Sequence, residues 1–136
     1  HFLINGPMYI AIDFDGTCVK HEFPEIGGDI GSVPVLKKLL EKGHKLVLYT
    51  MRSSINSLNR DVLREAVDWF TKNGIELYGI NVNRSQWSWT KSPKVYADLY
   101  IDDCALGVPL KQDPGDEKPY VDWVAVEQYL REHGII

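Results

Sequence analysis

Residues 8–14, M-Y-I-A-I-D-F, are a nearly continuous run of apolar β-formers that stops at an acidic turn containing Gly16. Such a run has no polar face to offer water, so it predicts a strand covered on both sides, as in parallel sheets. Residues 45–50, K-L-V-L-Y-T, read the same way. Between the two runs, Val35, Leu36, Leu39 and Leu40 share one helical face. Ser32 is placed to cap that helix, Pro34 falls in its tolerant first turn, and Gly43 follows Lys42 where left-handed geometry ends helices. Strand, helix and strand make a parallel βαβ unit.

The alternation continues. Leu58, Val62, Ala66, Trp69 and Phe70 keep helical spacing before Gly74, and residues 75–82 return to strand-like character. Residues 99–101 predict a fourth strand. Asp122 is placed to cap a last helix that turns Trp123, Val126 and Leu130 inward and stops at Gly134. The predicted fold class is α/β: a three-layer sandwich around a parallel, Rossmann-like sheet with right-handed crossovers. Residues 105–119, with their Pro, Gly and Asp, read as a surface loop.

A chain of 136 residues suits one domain that buries roughly two thirds of its unfolded surface. Hydrophobic residues at 44% and charged residues at 25% exclude a disordered or disulfide-scaffold composition. The net charge of −4 supplies no broad cationic field, so nucleic acid is not an expected partner. No apolar run approaches the ~20 residues of a membrane span, and no basic region leads into an apolar stretch at the N-terminus, so neither membrane insertion nor secretion is expected. Cys18 and Cys104 belong to no C-x-x-C pair, and two free thiols suit a cytoplasmic setting. Residues 1–7 precede a plausible initiator, Met8, and fit no later pattern. They read as a cloning remnant or frayed extension, leaving 8–136 as one domain.

Ligands of open parallel sheets bind beyond the carboxyl ends of the strands, and Asp13, Asp15, Thr50, Asp102 and Asp103 all fall at that edge. Two like charges 4 Å apart repel by about 4 kcal/mol at an effective dielectric of 20, a conflict that a divalent cation resolves. Hard oxygen donors favour Mg²⁺, which keeps waters and leaves a position for a phosphate oxygen. The D-x-D spacing gives Asp13 and Asp15 different orientations, so one can attack phosphorus while the other handles the leaving-group proton.

These residues carry a family resemblance. D-F-D-G-T at 13–17 resembles the first signature of the haloacid dehalogenase superfamily. Thr50 in L-Y-T-M-R resembles the second, a lysine in K-S-P-K the third, and I-D-D at 101–103 the fourth. The resemblance implies a small phosphorylated substrate, with Asp13 as the nucleophile that forms an aspartyl-phosphate and Asp15 as general acid and base. Thr50 would donate a hydrogen bond to the phosphoryl oxygens. It also implies a Mg²⁺ site made by Asp13, the carbonyl of Asp15, Asp102 and Asp103. K-V-Y-A-D-L-Y-I-D-D is similar to a run in small phosphatase-like proteins encoded with polysaccharide-biosynthesis genes, which favours Lys94 over Lys91 as the motif lysine and a phosphorylated sugar as substrate. Both customary positions for a cap domain are short, so the chain resembles a member with no sizeable cap.

Several readings stay open at this level. Asp103 serves equally well as a ligand or as a group that caps a helix or orients a ligand. Arg52 fits a second anionic group or sugar hydroxyl on the substrate, or a surface ion pair. Trp87 and Trp89 fit a sugar contact, a homo-oligomer contact over an open mouth, or ordinary packing. His1, His21, His44 and His133 show no metal-ligand spacing and read as structural or surface residues. Phosphotransfer on the same fold, a receiver-like signalling module and a non-catalytic Mg²⁺-binding scaffold are the alternative functions.

Overall fold

The structure, a computed structural model, describes residues 6–136; positions 1–5 of the extension set aside above lie outside them. The first strand, β1 (Tyr9–Ile12), lies in the middle of a parallel four-stranded sheet. It pairs with β2 (Lys45–Leu48) on one side and β4 (Leu99–Ile101) on the other, and β2 carries the short edge strand β3 (Gly79–Ile80). Three helices connect or follow the strands: α1 (Ser32–Glu41), α2 (Val62–Lys72) and α3 (Trp123–Glu132). The α/β class and parallel sheet predicted from the alternation are thus present.

The order β3-β2-β1-β4 means that the first two crossovers run in one direction, so right-handed connections put α1 and α2 on the same face. One apolar cluster joins Leu36, Leu39, Ala66, Phe70, Val126 and Leu130 of the helices to Ile10, Ile12, Leu46 and Leu48 of the strands. Alternation along a strand sends Ala11, Val47 and Tyr100 to the opposite face. There the β3-to-β4 connection, read from the sequence as a polar loop, supplies a single 3₁₀ turn, Arg84–Gln86. The Tyr100 hydroxyl anchors this connection by donating to the Val95 carbonyl.

Helix ends depart from expectation where a polar residue has a second task. Gly31, at φ 86°, stands at the N-cap of α1 without a side-chain bond, and buried Ser32 instead donates to the Cys18 carbonyl at 2.7 Å. α2 starts at Val62 because the Asp61 carboxylate accepts from the Arg64 amide, which leaves Leu58 outside the helix and half-exposed. The strand expected over 75–82 shrinks to two residues because Asn81 takes a left-handed φ of 54° directly after Ile80. Asp122 caps α3 through the Val124 and Ala125 amides, as expected. Residues 105–119 are not all loop: β5 (Leu110–Lys111) pairs antiparallel with β6 (Tyr120–Val121), two strands too short to leave a pattern.

Phe14, immediately after Asp13, packs its ring 5.8 Å from Phe70 and 5.5 Å from Trp69, so α2 holds the turn that follows β1. Removing the fully buried Phe70 ring (Phe70→Ala) is expected to cost about 3–5 kcal/mol of unfolding free energy. The fully exposed Leu106→Ala control should stay within about 0.5 kcal/mol. Urea unfolding measures both.

Candidate functional site

The register Ile12↔Ile101 brings the C-terminal ends of β1 and β4 side by side, and the next residues on each are Asp13 and Asp102. The Asp13 amide extends the ladder by one bond, to the Ile101 carbonyl at 3.0 Å. Buried Thr17 then joins the two strand ends: its Oγ1 hydroxyl donates to Asp13 Oδ2 at 2.8 Å, and Asp103 Oδ1 lies 3.3 Å from that Thr17 Oγ1. That hydroxyl oxygen also accepts from the Asp103 amide at 3.0 Å. The Thr17 carbonyl is held by the Trp123 indole N–H at 2.7 Å, so α3 helps fix the turn. Gly16 makes the turn feasible with φ 79°, and a β-carbon there would strike His21 and Asp103.

The site's electrostatics follow from this crowding. Burial, then the Asp103 carboxyl, then the negative charge of Asp102 push Asp13 from the ordinary 3.8 up to about 8, despite the Thr17 hydrogen bond. Burial works in the same sense on Asp103, but its hydrogen bonds with Asp13 and His21 outweigh it and hold that carboxyl below the usual range. Asp13 and Asp103 therefore titrate as one pair, with Asp13 the member driven upward.

Asp102, Asp103 and Cys104 offer ligand atoms within 4.8 Å of one another, the group among the described residues fit to hold a cation. Cys104 was not expected at the site. The Asp103 charge, its own burial and the Asp102 charge all raise its thiol, which therefore stays protonated and leaves the two carboxylates as the hard donors.

The other expected residues are distributed differently. Asp15 sends its carboxylate to Arg52, which binds both oxygens at 2.8 Å. The ion pair foreseen as one reading of Arg52 exists, but it is buried: the Arg52 side chain is 1% exposed. Thr50 follows β2 by two residues, its hydroxyl accepting from the Arg52 amide and its own amide donating to Asn81. Lys94 is exposed, with its ammonium 5.7 Å from the centre of the Tyr100 ring, and among the described residues no ion pair joins it to a carboxylate. Lys91 is exposed as well.

Trp87 and Trp89 are more than half exposed, so ordinary packing does not account for them; Trp89 meets Tyr96 edge-on at 5.7 Å. Two histidines have definite tasks. His44 is a buried structural link between the Met8 amide and the Ile135 carbonyl. His21 lies 2.8 Å from Asp103, a contact with no signal in sequence spacing.

Because the folded protein holds the Asp13 proton more tightly than the unfolded chain, the stability tied to Asp13 is complete below pH 3.8 and declines as pH rises to about 8. In chelator-treated protein, Asp13→Asn should therefore raise Tm more at pH 8 than at pH 4. Scanning calorimetry checks this, and an equal gain at both values would mean that Asp13 ionises freely.

No family model matches the sequence, and no curated protein matches it significantly. Among solved structures, the chain is similar to a conserved protein encoded in Bacteroides thetaiotaomicron, with 33% identity and a TM-score of 0.68. The likeness covers 93% of this chain and 92% of that one. The chain accordingly belongs to the same protein family as this conserved Bacteroides protein.

Proposed function

We propose that the chain is a Mg²⁺-dependent phosphomonoesterase of the haloacid dehalogenase type, with Asp13 as nucleophile. The observation that carries the reading is the meeting of Asp13, Asp102 and Asp103 beyond the adjacent ends of β1 and β4, where burial desolvates Asp13. The reading includes a capless three-layer domain, a cytoplasmic setting and a small phosphorylated substrate such as a sugar phosphate. Among the described residues no helix is long and apolar enough to cross a membrane.

The donor set suits the ion: Asp102 and Asp103 would hold Mg²⁺ together with Asp13 and the Asp15 carbonyl, in place of the proton that now offsets their repulsion. When bound, the ion keeps Asp13 ionised and neutralises charge on the phosphoryl group. An Asp13 carboxylate oxygen attacks phosphorus, and the bond from phosphorus to the leaving oxygen breaks while Asp15 delivers a proton to that oxygen. Water then attacks the aspartyl-phosphate, returns a proton to Asp15 and frees Asp13. Thr50 would steady the phosphoryl oxygens. Lys94, whose ammonium lies 5.7 Å from the centre of the Tyr100 ring, would offset charge on Asp13 and the phosphoryl group.

Purified protein is expected to release phosphate from 4-nitrophenyl phosphate with Mg²⁺ and to stop when the metal is chelated. Asp13→Asn should lower turnover by at least about 10³-fold. Undiminished turnover in that variant would refute covalent catalysis by Asp13.

A further inference from the structure

Arg52 stands four residues beyond the end of β2, and four of the five N–H donors of its guanidinium are engaged. Nε and Nη2 donate to the two Asp15 oxygens, Nη1 donates to the Val62 carbonyl at 3.0 Å, and Nη2 also donates to the Glu25 carbonyl at 2.9 Å. The rings of Phe14 and Phe23 lie over it, each 5.1 Å away. With its side chain 1% exposed, the guanidinium is closed off from a substrate anion. What it controls is Asp15. A two-point fork fixes both the position and the plane of a carboxylate, which a single ammonium contact does not. It takes two of the carboxylate's roughly four lone-pair sites. The Asp15 side chain stays 18% exposed, so a site for a proton remains reachable.

We propose that Arg52 is the positioning residue for proton transfer by Asp15 and takes no part in binding substrate. This rests on the phosphatase reading and deepens it. Donation to the leaving oxygen matters for a basic leaving group such as phenolate and little for 2,4-dinitrophenolate. The measurement is kcat/KM for phenyl phosphate and 2,4-dinitrophenyl phosphate, because it covers only the steps up to departure of the leaving group. It is made on the native protein, Asp15→Asn, Arg52→Met, Arg52→Lys and the Asp15→Asn/Arg52→Met double variant.

Arg52→Met is expected to lose at least about 10-fold more on phenyl phosphate than on the dinitrophenyl ester, the pattern of Asp15→Asn, against the ~10²–10⁴-fold worth of a positioned proton donor. Arg52→Lys should fall between, and the double variant should be no slower than Asp15→Asn alone. Should Arg52→Met fail to fold by circular dichroism, Arg52→Lys carries the same comparison. Equal losses on both substrates would mark a merely structural residue and overturn the proposal, as would additive losses in the double variant. If the native protein hydrolyses neither ester, the phosphatase reading itself fails; if it hydrolyses both and the leaving-group pattern is absent, only the role of Arg52 fails.

Discussion

The structure turns on a conflict at the joint between β1 and β4. Parallel pairing in register Ile12↔Ile101 requires the next residues of the two strands, Asp13 and Asp102, to leave the sheet side by side, with Asp103 close behind. In water these carboxylates would repel weakly. Here burial first, then the Asp103 carboxyl and the Asp102 charge, push the Asp13 carboxyl well above its ordinary range. The Thr17 hydroxyl is the one small polar group that fits between them, and its backbone carbonyl is in turn secured by Trp123. On the proposed reading, a cation bound among these carboxylates would relieve their repulsion and gain hard donors together.

The second constraint is the cross-tie made by Arg52. One side chain links the turn after β1 through Asp15, the 20–31 segment through the Glu25 carbonyl and the start of α2 through the Val62 carbonyl. Removing one member of such a buried pair typically costs about 3–5 kcal/mol, because the other charge is left without a partner or water. The loops around the mouth are therefore set by the same group that orients Asp15. Segments that carry no regular structure, such as 50–61, still have a defined place.

Much of the fold was legible because burial on both faces writes itself as unbroken apolar runs. Residues 8–14 and 45–50 announced the two central strands, and Asp122 announced the start of α3. Residues 75–82 misled because their apolar character outlasts the strand: a left-handed Asn81 ends the pairing, and nothing in the run of side chains marks that torsion. The β5–β6 hairpin is held by two residue pairs and leaves no periodic trace. Ser32 was the candidate cap of α1, and only the position of the Cys18 carbonyl diverts it to another task, while Asp61, which caps α2, was not singled out.

By itself the sequence determined the order of the elements and the collection of acidic residues at one edge of the sheet, since both depend on spacing along the chain and on where strands must end. Only the tertiary structure decided which of those acids meet. It bound Asp15 to a buried Arg52 and drew Asp13 toward Asp103 through Thr17. It also brought His21 and Cys104 beside Asp103 and left Lys94 lying on Tyr100. Hydrogen bonds and desolvation are set by distances across the fold, between residues as far apart in the chain as Thr17 and Asp103. A linear pattern carries the identity of such partners without their proximity.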